Sequence, residues 1–331
     1  MLAGHQQGTT RTWMWYDFDM TKILISGSLA YDHIMDFPGY FRDHFMPDKL
    51  HNINVSFNIE GHSEHFGGTA GNIAYTLALL GEKPSIVASV GEDFARYQAH
   101  LEGVGVDTSL IRVEPKTETG FAYILTDKGD NQIAAFHPGA GAIAYAAEIP
   151  MEKGALGIVS AGCIADMQSF PEKFRSGGVK FMFDPGQAIP ALSGDDLKNG
   201  ITGAEVVFAN DYEFTLISFK TGWKEADIVK AATTLIVTLG EAGSRVITAA
   251  GEIRVAAVPV TENKDPTGAG DGYRAGYMKA YLAGATSMQC AQLGSTCAAF
   301  VVENQGTQGH RFTMEELRKR YEISYGEPLK I

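Results

Sequence analysis

The stretch NKDPTGAGDGYRAGY (263–277) follows a run that reads as a β-strand and leads straight into one that reads as a helix. That joint is the unit from which an α/β fold is built. Gly268 and Gly270 let successive backbone N–H groups converge with no Cβ in the way. The helix N-terminus adds partial positive charge, so the turn is suited to an anion. A carboxylate at Asp271 would repel a bound phosphate, but it has a use beside one: it can take a proton from an attacking hydroxyl. The competing reading is local, with Asp271 capping the helix and the glycines making an ordinary tight turn. A dinucleotide fingerprint fits less well, because GAGDGY lacks the last glycine of GxGxxG and lies late in the chain. GxxxxGK[ST] does not occur, which excludes a P-loop enzyme.

Working outward, short apolar runs alternate with helical patterns. Strands are expected at KILISGS (22–28), PSIVASVG (84–91), ALGIVSA (155–161), VKFMFDPG (179–186), AEVVFAN (204–210) and TLIVTLG (234–240), then a pair at 244–258. Helices are expected from about Asn72 to Gly81, over 93–105, over 270–284 and over 287–304. Apolar strands between helices predict a doubly wound, mainly parallel sheet covered on both faces. HNINVSFNIE (51–60) reads as a more polar strand, and 118–140 as a hairpin turning at Asp-Lys-Gly-Asp-Asn. Both are too polar for the centre of a parallel sheet. They predict a small discontinuous β-sheet lid at about 32–64 and 118–137, within one domain over 21–325. Residues 1–20 read as a polar N-terminal extension without the apolar core of a signal peptide.

The chain has 331 residues, enough for one large α/β domain with an appendage. Its formal net charge of −12 makes it a poor nucleic-acid partner. No apolar run approaches the ~20 residues of a membrane span. Cys163, Cys290 and Cys297 have no paired spacing, which favours a reducing cytoplasm over a disulfide framework.

Four further constellations have site chemistry, each with a plain structural alternative. In GGTAGN (67–72), Gly67 and Gly68 allow close backbone approach and Asn72 can bond hydroxyls, or the segment is a glycine turn opening a helix. Asp32, just after the first strand, could accept from two vicinal hydroxyls, or be a loop carboxylate. In NDYE (210–213), Asn210 and Glu213 could order water around Mg²⁺, or form a capping box. TLGEAGS (238–244) could offer backbone to a nucleotide, or be a β-turn. His62 and His65 lack a third ligand at metal spacing and read as exposed lid histidines. Phe57, Phe121 and Phe136 could stack on a base, but read more simply as core of the small sheet.

Taken together, GGTAGNIA (67–74), NDYE (210–213) and DPTGAGDGYRA (265–275) resemble the signatures of the ribokinase-like (PfkB) family of sugar and nucleoside kinases. The resemblance spans about residues 22–312, with Pro266 where Thr or Ser is more usual and Gly272 where Ala or Thr is common. It implies Asp271 as catalytic base and an anion hole of Gly268, Ala269 and Gly270. It implies substrate hydroxyls held by Asp32, Gly67, Gly68 and Asn72, with Asn210 and Glu213 serving Mg²⁺, Glu213 through water. ATP would meet Thr238, Gly240 and Gly243, with adenine beside Ala298–Val302. A monovalent cation and a monomer or homodimer are further possibilities of the family. DNQIAAFHPGA (130–140), GDGYRAG (270–276) and NQGTQGHRF (304–312) are similar to bacterial adenosine kinases. The expected reaction is therefore phosphorylation of the adenosine 5′-hydroxyl by ATP. The alternatives are a ribokinase- or fructokinase-type sugar kinase, a broad-specificity nucleoside kinase, and a nucleoside sensor without turnover.

Overall fold

The computed structural model describes residues 21–45, 52–129 and 131–331. The chain begins β1 (Ile23–Ser26), β2 (Ala30–Asp36), β3 (Gly61–Gly67), α1 (Thr69–Leu79), β4 (Pro84–Val90), α2 (Ala95–Gly103), β5 (Ile111–Val113), β6 (Gly120–Thr126) and β7 (Gln132–His137). It continues β8 (Leu156–Ser160), α3 (Ile164–Gly177), β9 (Lys180–Asp184), α4 (Gly194–Ile201), β10 (Val206–Asn210), α5 (Asp211–Thr221) and α6 (Glu225–Ala231). Then come β11 (Thr234–Thr238), β12 (Ser244–Thr248), β13 (Gly251–Val255), α7 (Ala269–Leu282), α8 (Ser287–Val302) and α9 (Met314–Tyr325).

Among the described residues the main sheet has nine strands in the order β13-β12-β11-β10-β9-β8-β1-β4-β5. It is parallel from β11 to β5, while β12 and β13 add an antiparallel edge. Strand alternation divides its side chains between two cores. Ile25, Ile86, Ile158, Phe208 and Ile236 pack under α1, α2, α7, α8 and α9. Leu24, Val87, Val159, Phe183 and Val207 pack under α3 to α6. Strands buried on both faces must be apolar along their whole length, which is why they stood out in the sequence.

The second sheet is mixed, four-stranded and ordered β3-β2-β6-β7. β2 pairs antiparallel with β3 and parallel with β6, and β6 and β7 form the expected hairpin. Two expectations need correction. The strand expected over 51–60 is not formed: His51 lies outside the described residues, 52–60 are irregular, and pairing starts at Gly61. The alternating side chains of this stretch serve a different end, since Phe57 packs edge-on against Phe37, Phe41 and His44. Asp32 is not at the end of the parallel strand β1 either, which closes at Ser26; it lies inside β2, opposite His65.

Candidate active site

The chain leaves β1 for β4 and β5 on one side, then returns to β8 and continues outward on the other. This reversal opens a crevice at the carboxyl ends of β1 and β8, where doubly wound sheets bind ligands. Hydrogen bonds join the start of α1 to the segments that leave both strands there. The Thr69 hydroxyl donates to the Ala161 carbonyl at 2.7 Å, and the Ala70 N–H donates to Ser28 O at 3.0 Å. Gly68 precedes α1 at φ 89°, and a Cβ there would stand 2.5 Å from the Ser28 carbonyl oxygen. Gly68→Ala is therefore expected to lose ~1–3 kcal/mol of stability, from a left-handed backbone and a clash with main chain. A urea midpoint unchanged from wild type would show that the turn tolerates a side chain.

Asp271 lies in the first turn of α7, and the residue preceding that helix is Gly268, at φ 80°. Asp271 is thus not the cap. Its Oδ2 instead accepts from Asn72 Nδ2 at 2.7 Å, and its carboxylate faces the crevice. Burial pushes its carboxyl up to about 7, with the Asn72 bond and the Arg274 guanidinium pulling the other way. Burial, then the charge of Asp265, pushes Asp32 up to about 6. A carboxylate with one oxygen held, the other open to a cavity, and a proton affinity near neutrality is suited to remove a proton from a hydroxyl. Beside it the amides of the first helical turn have no partner within the helix, although that of Ala269 donates to Pro266 O at 3.2 Å.

One continuous cavity of about 1230 Å³ passes this carboxylate. Asp32, Gly68, Asn72, Asn210, Glu213, Thr238, Gly240, Gly243, Gly268, Ala269, Gly270 and Ala298 all line it. Gly67 does not line it. It stands opposite Ala30 in the sheet, and a Cβ there would collide with the Asp32 carboxylate, so its absence leaves room for Asp32. The capping box at NDYE also forms: Asn210 Oδ1 accepts from the Glu213 N–H at 2.7 Å, and Glu213 Oε2 from the Asn210 N–H at 2.7 Å. The box and the cavity lining coexist, because the box uses one edge of each side chain. At 238–244 a turn is closed by Leu239 N–H to Gly243 O at 2.8 Å, with Gly240 at φ 58° and Gly243 at φ 88°.

The phenylalanines separate. Phe57 belongs to the aromatic cluster on Phe37, and Phe121 packs with Tyr123 and His137. Phe136 is 61% exposed and faces the cavity. His62 is exposed, with Nε2 3.3 Å from His33 Nδ1, while His65 is half-buried and bonded to Ser63. Among the described residues no three His, Cys, Asp or Glu side chains form a metal cluster.

Further residues line or support the cavity. Arg274, one helical turn beyond Asp271, makes a bidentate pair with Asp184 at 2.8 and 2.9 Å. Both are almost fully buried. Asp184 ends β9, so the signal that drew attention to Asp32, a carboxylate at the end of an apolar strand, was present in VKFMFDPG as well. Gln308 bonds Asn72 and is itself held by Tyr97 and His100 of α2. It lies within NQGTQGHRF (304–312), a segment whose resemblance assigns it no role, and nothing local marks Tyr97 or His100.

Comparison with known proteins supplies the remaining findings. The profile of the pfkB family carbohydrate kinases matches residues 28–312. The chain is 32% identical over 314 residues to a nucleoside kinase of Methanothermobacter thermautotrophicus, covering 92% of this chain and 96% of that one. It superposes on the Burkholderia thailandensis nucleoside kinase in complex with inosine with a TM-score of 0.84 and 37% identity, covering 93% of this chain and 100% of the other. A Methanocaldococcus jannaschii nucleoside kinase structure gives 0.83 and 30%, over 92% and 99%. Among the described residues no helix is long and apolar enough to cross a membrane.

Proposed function

We propose, from the premise that the chain belongs to the pfkB family of carbohydrate kinases, that it is a nucleoside kinase of broad base tolerance. At the coarser level it is an ATP-dependent phosphotransferase of that family, acting on nucleosides or sugars. The observation that carries the proposal is the half-buried Asp271 carboxylate lying along one cavity of about 1230 Å³. A pocket for one drug-sized ligand is ~300–1,000 Å³, so this volume suits ATP and a nucleoside together.

In this reading Asp32 and Asn72 hold the ribose hydroxyls, and the free oxygen of Asp271 faces the 5′-hydroxyl. The 5′-hydroxyl oxygen attacks the γ-phosphorus as its proton passes to the Asp271 carboxylate, and the bond from the γ-phosphorus to the β–γ bridging oxygen breaks to release ADP. The amides of Gly268, just before the helix, and of Gly270, in its first turn, receive the charge that develops on the phosphoryl oxygens, joined by that of Ala269 where it turns from the Pro266 carbonyl. Thr238, Gly240, Gly243 and Ala298 line the nucleotide end, and the small sheet, through Asp32 and Phe136, serves as the lid over the nucleoside. The three free cysteines suit a reducing cytoplasm.

Mg²⁺ fits the donor set. Burial and the charge of Asp184 push the Glu213 carboxyl up, a strain that a nearby cation relieves. With no three-residue metal cluster among the described residues, water and phosphate would complete its shell, as this ion prefers. When bound it supplies charge neutralisation to the phosphates; Asn210 and Glu213 orient the water that meets it.

The adenosine-only expectation has less support than the broader one. The relatives carry the name nucleoside kinase, and inosine is the ligand in the Burkholderia complex. An ADP-release assay across adenosine, inosine, other nucleosides, ribose and fructose tests the proposal. The expected result is turnover of several nucleosides, with kcat/KM at least about tenfold above either sugar. Turnover of a sugar with no nucleoside accepted would replace it with the sugar-kinase reading. Loss of all turnover with retained nucleotide binding would point to a sensor.

A further inference from the structure

We propose that Gln308 is a positioning residue for the base: it holds the Asn72 side chain in the orientation that donates to the Asp271 carboxylate. The inference deepens the kinase reading and rests on it for its consequence in catalysis. Its grounds are geometric. Gln308 is 6% exposed, Asn72 4% and Tyr97 0%, so solvent has little access to satisfy their polar atoms in another arrangement.

A chain of donors and acceptors fixes the polarity at every link. The Gly67 carbonyl can only accept, and it receives the Tyr97 hydroxyl proton at 2.8 Å. The Tyr97 oxygen must then accept from its other neighbour, which is Gln308 Nε2. Once that nitrogen faces Tyr97, its second proton goes to Asn72 Oδ1 at 3.0 Å. An Asn72 amide with its oxygen so engaged presents Nδ2 to Asp271, at 2.7 Å. The other end of Gln308 is anchored as well, since its Oε1 lies 3.1 Å from His100 Nε2. An amide oxygen can only accept, so His100 carries a proton on that nitrogen. Burial lowers the His100 pKa, with the Gln308 bond pulling the other way.

The consequence is a carboxylate with one oxygen committed and the other aimed into the cavity. The Asn72 amide torsion is soft, and without Gln308 its orphaned oxygen would pull the side chain toward other donors. The bond to Asp271 would weaken and the ionised form would be less favoured. The groups facing Asp271 are Asn72 from α1, Asp32 from β2, Asp184 from the end of β9 and Arg274 from its own helix. None of these is removed when Gln308 is changed.

The test is Gln308→Met, which keeps the volume and deletes the amide. We expect the Asp271 carboxyl, followed by ¹³C NMR on aspartate-labelled protein and assigned with Asp271→Asn, to titrate about half to one unit higher. The rate should fall about three- to tenfold at pH 6 and recover to within about twofold at pH 9. In an Asn72→Ala background the same substitution should leave the titration unmoved, because it acts through Asn72. Tyr97→Phe, which removes the second acceptor of Gln308, should shift it in the same direction and keeps the question answerable if Gln308→Met does not fold. An unmoved titration, a shift that persists without Asn72, or a rate loss equal at every pH would overturn the proposal. The NMR titration needs no turnover, so a wild type that phosphorylates nothing would defeat the kinase reading while leaving the titration to decide the role of Gln308.

Discussion

Asp271→Asn is expected to abolish phosphoryl transfer and, above neutral pH, to raise the stability of the protein. The loss follows from the chemistry: the amide keeps the shape and the contact with Asn72 but cannot take the hydroxyl proton, and general-base contributions are ~10²–10⁴-fold in rate. Nucleotide binding should survive, because the first-turn amides and the lining at 238–243 are untouched. The stability gain follows from linkage. The folded-state carboxyl lies at about 7, above its ordinary 3.8, so the folded protein takes up a proton the unfolded chain would release. Stability from this group is complete near pH 4, falls as pH rises through about 7, and is lowest beyond that. A shift of that size corresponds to ~4 kcal/mol if hydration of the carboxylate were lost entirely. The carboxylate still reaches cavity water, so about 2 kcal/mol is the better expectation, a gain of several degrees in Tm at pH 8.5 and none at pH 4. The wild-type kcat/KM should correspondingly rise with pH through about 7. A variant that turns over within tenfold of wild type would remove Asp271 from the role of base. Equal Tm values at both pH extremes would show that its carboxylate is not strained.

What could be read in advance, and what could not, follows from how far each signal extends along the chain. The parallel strands were legible because burial on both faces leaves no polar position in runs such as ILIS (23–26) or VVFAN (206–210). β2 falls in the expected lid range of about 32–64 but carries no strand signal of its own, since AYDHIMD places Asp32 toward the cavity and breaks the apolar alternation. The segment 52–60 misled for the complementary reason: its alternation is real, but the aromatic cluster on Phe37 uses it in place of a partner strand. At the site, Asp271, Asn72 and Glu213 were legible because each lies within a short glycine-bearing or strand-ending motif. Gln308 reaches Asn72 across 236 positions, and Arg274 reaches Asp184 across 90. Contacts at such separation exist only once the sheet has brought α1, α7 and the C-terminal segment together, and a single sequence holds no local trace of them.

Replacing the other half of one of those long-range pairs should have the largest effect on folding. Arg274→Met leaves Asp184, 3% exposed, without its counter-charge. The guanidinium occupies a fixed seat, with Nε and one terminal nitrogen on the two Asp184 oxygens and its carbon 5.3 Å from the Phe208 ring centre. Methionine fills part of that seat but supplies no donor. Removing one partner of a buried ion pair costs ~3–5 kcal/mol, because the remaining charge must be neutralised or hydrated inside the core. The urea midpoint should fall accordingly. The double variant carrying Asp184→Asn as well should regain part of the loss, since it removes the stranded charge. Arg274 also bears on the chemistry. Its charge lowers the proton affinity of both Asp271 and Glu213, so without it each carboxyl moves further up. The acid limb of kcat/KM should therefore shift to higher pH in Arg274→Met, with activity recovering as pH is raised. A loss of stability below about 1 kcal/mol would mean that Asp184 finds other donors. An unshifted acid limb would mean that the pair supports the fold without tuning the base.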